Sequence, residues 1–177
     1  MKNSKVATRY ARALMDLAME QKNIDSVLGD MNMLAATCTE SHDFRLLLDS
    51  PIVKAEKKIA IFEQVFEQFE KLTMSFTALI IKNGRESDLP AIAEAFQSQV
   101  KEERGIVPIT LTSATALDSA TKDAIIKKVQ AGVDGQLEVS EQIDESLIGG
   151  FMVQMGDMRV DASVSSQLNN LKQRLTR

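Results

Sequence analysis

Near Glu103-Arg104-Gly105 the spacing of apolar residues changes, and no other feature of this 177-residue chain constrains its fold so strongly. Ahead of that point apolar residues return every three or four positions, the period of a helix with one buried face. Val6, Tyr10, Ala13, Leu14 and Leu17 mark a first helix, and Val27, Met31, Leu34, Ala35 and Cys38 a second. Asp43 to Leu48 suits a short third, stopped by Asp49-Ser50-Pro51. Ile59, Phe62, Phe66 and Phe69 form a fourth stripe. A fifth helix is expected from Leu72 to Asn83, ending at Gly84, where a left-handed cap costs little. Pro90 fits the first turn of a sixth, whose buried face would be Ile92, Ala93, Phe96 and Val100. Short polar joins between such helices favour antiparallel packing.

Beyond Gly105 the runs become short and β-like. Ile106, Val107, Ile109 and Leu111 begin one, and Pro108 within it points to an edge strand. Asp118 suits the N-cap of a helix carrying Ile125, Ile126 and Val129. Leu137, Val139 and Ile143 give another β-like run. Phe151, Val153 and Met155 alternate, and Gly156-Asp157 then turns the chain into Met158-Arg159-Val160. A terminal helix from Ser163 places Val164, Leu168, Leu171 and Leu175 on one face. The expected fold is therefore mainly α, a six-helix N-terminal bundle over residues 1–105 followed by a small α/β C-terminal domain over residues 106–177.

Charge removes one class of function. The net charge is −4, and the two segments carry 14 Lys+Arg against 16 Asp+Glu and 7 against 9, so neither half is basic overall. A nucleic-acid partner would call for a basic stripe supplying phosphate contacts, so none is expected. Cys38 is the only cysteine, which excludes an internal disulfide and fits a reducing compartment. The longest apolar run, Leu147 to Val153, is seven residues, against roughly 20 for a spanning helix. Membrane association is expected only through a partner.

Catalysis requires reactive groups brought close together, and few are present. His42 is the only histidine; it lies between Ser41 and Asp43, but neighbours along a chain point apart, so a capping or surface role is expected. One Cys and one His are too few for a zinc site. Gly149-Gly150 lacks the Gly-Lys-Ser/Thr sequel of a phosphate loop, and backbone crowding or a bulge is the simpler account. Carboxylate pairs such as Glu102-Glu103 or Asp144-Glu145 sit in polar segments, where they are solvated. Cys38 is in phase with its helix's apolar stripe and reads as core. No catalytic residue, cofactor, metal or small-molecule substrate is expected.

What remains is a surplus of apolar surface. At about 100° per residue, Val6, Ala7, Tyr10, Ala11, Ala13, Leu14, Leu17 and Ala18 span an arc roughly 160° wide, against about 100° for a helix burying one face. The small edge of Ala7, Ala11 and Ala18 would let another helix approach closely. The fifth helix has Leu72, Phe76, Leu79 and Ile80 on one side and Met74, Ala78 and Ile81 on the other. Such a helix is either central in its domain or covered by a partner. Together the two helices offer a groove for a partner's amphipathic helix, formed or supported by Ala7, Tyr10, Ala11, Leu14, Phe76 and Ile80. The terminal helix is a second docking surface, or packs on its own sheet.

These residues resemble a known family. Val6-Ala7-Thr8-Arg9-Tyr10-Ala11-Arg12-Ala13-Leu14 is similar to the opening of the delta subunit of bacterial F-type ATP synthase, related to the mitochondrial oligomycin-sensitivity-conferring protein. Asn83-Gly84-Arg85 with Leu89-Pro90, Ile92 and Phe96 resembles the family's junction between fifth and sixth helices. The most specific stretch is Ile143 to Phe151, with Gly149-Gly150, continuing through Gly156-Asp157 to Val160-Asp161-Ala162-Ser163 and Leu168. Met15 stands where relatives often have an aromatic residue. The resemblance spans essentially the whole chain. It implies a non-catalytic stator subunit of the proton-translocating synthase, linking the F1 head to the membrane sector and resisting rotor torque. It further implies that the first and fifth helices hold the N-terminal helix of the alpha subunit. The C-terminal domain would meet the C-terminal region of the b subunit, and Gly149, Gly150, Asp161 and Ser163 would set local backbone structure. The expected location is the cytoplasmic face of a bacterial membrane. The alternative is a free-standing regulatory adaptor outside the synthase.

Overall fold

The computed structural model of the protein describes residues 5–115, 118–133, 135–144, 146–156 and 158–175. The chain divides into two compact units, one ending at Lys101 and one beginning at Glu102.

The first unit holds α1 (Lys5–Glu20), α2 (Ile24–Glu40), α3 (His42–Asp49), α4 (Ala55–Val65), α5 (Lys71–Lys82), a 3₁₀ turn (Glu86–Asp88) and the start of α6 (Leu89–Glu103). One apolar core draws on all six helices, from Leu14 and Met31 through Phe44, Phe62 and Ile80 to Ile92 and Phe96. Local signals set the helix ends. Ser41 caps α3 by accepting from the Phe44 N–H at 3.2 Å. Gly84, at φ 64°, ends α5 in a Schellman cap, with Arg85 N–H donating to Ile80 O and Gly84 N–H to Ile81 O, both at 3.0 Å. The fourth stripe overshoots its helix. α4 stops at Val65, and Phe66 and Phe69 lie in the turn beyond it, yet both are buried. Their rings stack at 4.4 Å and join Phe44 and Phe62 in one aromatic cluster, so packing places these side chains after the backbone has left the helix.

Polar groups also tie the helices together. Lys58 is buried, and its Nζ donates to Leu48 O at 2.8 Å and to Glu86 Oε1 at 2.5 Å, joining α4 to the end of α3 and to the 3₁₀ turn. Burial works to raise the Glu86 carboxyl, but the hydrogen bond from Lys58, a backbone bond and attraction to that ammonium leave it lowered. Asp30 on α2 accepts from Glu70 N–H at 2.9 Å, at the start of α5. Neither tie is visible in apolar periodicity.

The second unit is a four-stranded mixed sheet with two helices: β1 (Ile106–Ser113), α7 (Ser119–Gln130), β2 (Gln136–Ile143), β3 (Phe151–Met155), β4 (Met158–Asp161) and α8 (Val164–Leu175). The strand order is β2-β1-β3-β4. β1 and β2 are parallel, joined through α7, while β1–β3 and β3–β4 are antiparallel. Asp118 caps α7, its carboxylate accepting from Thr121 N–H at 3.1 Å. Pro108 does not mark an edge strand, because β1 is paired on both sides. The β1–β3 ladder begins only at Ile109, opposite Met155. Pro108 therefore sits where β1 has one neighbour, and its missing N–H costs no ladder bond to β3. Leu111, Ile125 and Val153 form the buried core, with Val129, Val139 and Phe151 packed around it. Glu145 and Asp157 of the sequence motifs lie outside the described residues.

Candidate partner-binding surfaces

α1 and α5 meet at Tyr10 and Phe76, whose rings contact edge to face at 6.5 Å between centroids. Core-facing positions behind that contact are closed. Ala7, Ala11, Leu14 and Ile80 have no exposed surface, and Phe76 is 6 % exposed. The small alanine edge thus does not wait for a foreign helix. It faces its own bundle, and Gln99 of α6 reaches the neighbouring Thr8 carbonyl at 3.1 Å. Of the six residues expected at the groove, Tyr10 is partly open and the other five are buried.

The open apolar positions lie beside them on the same two helices. On α1 these are Val6, Ala13 and Leu17, the last 41 % exposed; on α5 they are Leu72 and Leu79, the latter 52 % exposed. With about 100° per residue, each set lies within about 60° of the Tyr10 or Phe76 position on its own helix, on the side away from the core. The result is an apolar seam flanking the ring contact. Helical periodicity places all of these residues in one broad arc, and it cannot say which edge a neighbouring helix will cover.

The Gly-Gly and Asp-x-Ser motifs form one piece of backbone engineering at the start of α8. Gly150 has φ 83°, and a Cβ there would lie 2.6 Å from Ala162 O and 2.9 Å from Ser163 Cα. The chain closes around it: Val164 N–H donates to Gly149 O and Ala162 N–H to Phe151 O, both at 3.0 Å. Asp161 accepts from Ser163 N–H at 2.9 Å and from the Ser166 hydroxyl at 2.7 Å, and Ser163 Oγ accepts from Ser166 N–H at 3.3 Å. Hydrogen bonds from Ser163, side chain and backbone, and then from Ser166 hold the Asp161 carboxyl down at about 2. These four residues cap a helix and let two backbones touch.

A second apolar surface lies between α7 and the sheet. A groove of about 780 Å³ is lined by Ile125, Val129, Val153, Met155, Met158 and Val160, with Lys128 at its margin. On α8, Val164 and Leu168 are exposed, at 38 % and 57 %, so this part of the terminal stripe is not covered by the sheet. The side chains of Leu171 and Leu175 lie outside those described.

The groups first weighed for chemistry stay apart. His42 is exposed at the first residue of α3. Burial pushes the Cys38 thiol up to about 11, against a smaller lowering by Arg45, so it stays protonated and unreactive near neutrality. Among the described residues no cluster of His, Cys, Asp and Glu could hold a metal ion. Among those residues, too, no helix is long and apolar enough to cross a membrane.

Comparison with known proteins gives this architecture its setting. The family model for the ATP synthase delta (OSCP) subunit matches residues 6–175. ATP synthase subunit delta of Cytophaga hutchinsonii is 34% identical over 177 residues, covering 99% of this chain and 97% of that protein. The Carboxydothermus hydrogenoformans subunit is 34% identical over 172 residues, covering 97% of each. A chain in the cryo-EM structure of the Toxoplasma gondii mitochondrial ATP synthase hexamer superposes with a TM-score of 0.75 at 25% identity, over 98% of this chain and 99% of that one. The chain therefore belongs to the ATP synthase delta (OSCP) subunit family, a non-catalytic stator subunit of the rotary synthase.

Proposed function

We propose that this chain acts as a two-ended clamp in the peripheral stalk. The helices of residues 1–105, working as one six-helix bundle, grip the catalytic head, and residues 106–177 grip the stalk. The observation that carries the head-side reading is the seam of open apolar residues beside the Tyr10–Phe76 contact. Its occupant is the N-terminal helix of the alpha subunit, laid along α1 and α5. On the stalk side, the groove between α7 and the sheet supports docking of the C-terminal region of the b subunit. The protein is held in this way at the cytoplasmic face of a bacterial membrane, through other subunits.

The mechanism is static. Rotation of the central shaft drags the catalytic head with it unless something holds the head still. A holder needs slow release and stiffness, which burial of an apolar helix can supply at about 25 cal/mol per Å² before association costs are subtracted. Family membership displaces the alternative of a free-standing regulatory adaptor. Titrating the isotope-labelled protein with a peptide of the alpha N-terminus should move amide signals of α1 and α5; if both stay put, the head-side reading fails. Removing residues 106–177 should abolish capture of b while leaving capture of the head, and retained b binding would count against the stalk-side reading.

A further inference from the structure

Resting on the head-side reading above, we infer that the helix seated on α1 and α5 carries an acidic edge, which this protein meets with a basic rim. Turning outward from the apolar seam on α1, the exposed positions are Lys5, Arg9 and Arg12, with Asp16 and Glu20 in the same sector further toward the C-terminal end. The three cations follow at intervals of four and three residues, a line about 10 Å long at 1.5 Å rise per residue. A shallow hollow of about 560 Å³ is lined by these three cations, by Thr8 and Asp16, and by Ala13 of the seam, so the apolar and charged surfaces are continuous. On α5 the corresponding outward positions are Lys71 and Lys82, also exposed, and that helix has no acidic residue.

The two helices therefore present five cations against Asp16 and Glu20, in a chain whose net charge is −4. Both acids sit in the second half of α1, and the half nearer its N-terminus is basic alone. None of the five cations is ion-paired to a described residue. Concentrating positive charge along an apolar seam, in a protein otherwise acidic, costs self-repulsion that an acidic partner relieves. The apolar seam and its aromatic contact favour a protein helix over a lipid surface, because an amphipathic helix fills a seam and presents charge along its edge. The matching helix has carboxylates at i, i+3 or i+4, and i+7 beside its apolar stripe. Coulombic matching of this kind fixes register and speeds encounter, while the apolar contact sets the release rate.

The test uses the full chain and a peptide copying the alpha N-terminus, with binding followed by calorimetry at low and high salt. Arg9→Glu combined with Arg12→Glu should weaken binding by about tenfold or more at low salt, and the gap should shrink as salt shortens the reach of the charges. A peptide with its acids changed to amides should lose affinity for the unaltered protein in the same way. Leu17→Ser should weaken binding at every salt concentration. All three altered residues are exposed, and unchanged circular dichroism confirms that the fold is kept. If the charge reversal changes neither affinity nor salt dependence while Leu17→Ser still weakens binding, the acidic edge is wrong and the head-side reading stands. If neither variant affects the peptide, or the peptide does not bind, the head-side reading itself fails. Binding of phosphatidylglycerol vesicles that the charge reversal abolishes, with peptide affinity untouched, would overturn the inference in favour of a membrane surface.

Discussion

At Gly150 the carbonyl of Ala162 occupies the space a side chain would need, at 2.6 Å from an added Cβ, and φ is 83°. Gly150→Ala should destabilise the second unit by about 2 kcal/mol or more, because the two backbones must separate and the residue must adopt a disfavoured conformation. Hydrogen exchange should show faster opening of β3 and the start of α8, with α1 to α6 unchanged. Asp161 gives a prediction in pH. Its folded carboxyl titrates at about 2, below an unfolded value of about 3.9. The stability it contributes is therefore present above about pH 4 and lost as pH falls through about 2. Asp161→Asn should flatten that acid limb in pH-dependent unfolding and loosen the first turn of α8. An unchanged acid limb would show that the Ser163 and Ser166 bonds do not matter in solution.

Along each helix, depth of burial should separate positions that hold the fold from those proposed to hold a partner. Leu14→Ala empties a fully buried position and should cost about 3 kcal/mol, a large fall in melting temperature. Leu79→Ser, at a position 52 % exposed, should change stability by no more than about 0.5 kcal/mol yet weaken capture of the catalytic head. The reverse pattern would move the docking face elsewhere. This distinction also marks how far the sequence could be read. Helix positions were legible because an apolar stripe repeats, and Gly84 and Asp118 declared their caps. The exposed edge of the α1 arc was not legible, since periodicity gives an angle about one axis and says nothing of the helix that covers it. Phe66 and Phe69 kept helical phase past the true end of α4, because an aromatic cluster buries them regardless of backbone form. Pro108 misled for a related reason: proline reports a missing donor at one position, and β1 lacks its second neighbour over Ile106 to Pro108 while gaining one from Ile109 onward. The Lys58–Glu86 tie spans distant segments and leaves no periodic trace.

In the whole molecule the two units have unequal cores. The helical unit buries side chains from all six of its described helices, whereas among the described residues the buried apolar side chains of the second are Ile109, Leu111, Ile125 and Val153. A unit of about this size is marginal on its own. Calorimetry of the full chain should therefore resolve two transitions, the lower belonging to the second unit. A stalk partner that binds only the folded form should raise that lower transition and leave the upper one in place. A single transition would mean the units unfold together. The strand order carries one more consequence. The peptide chain leaving the helical unit enters the sheet as β1, one of its two doubly paired strands, which lies between an eight-residue parallel ladder and a five-residue antiparallel one. A pull delivered through Gly105 along that strand loads both ladders in shear, many hydrogen bonds at once. Entry through β2 or β4 would have loaded a single ladder.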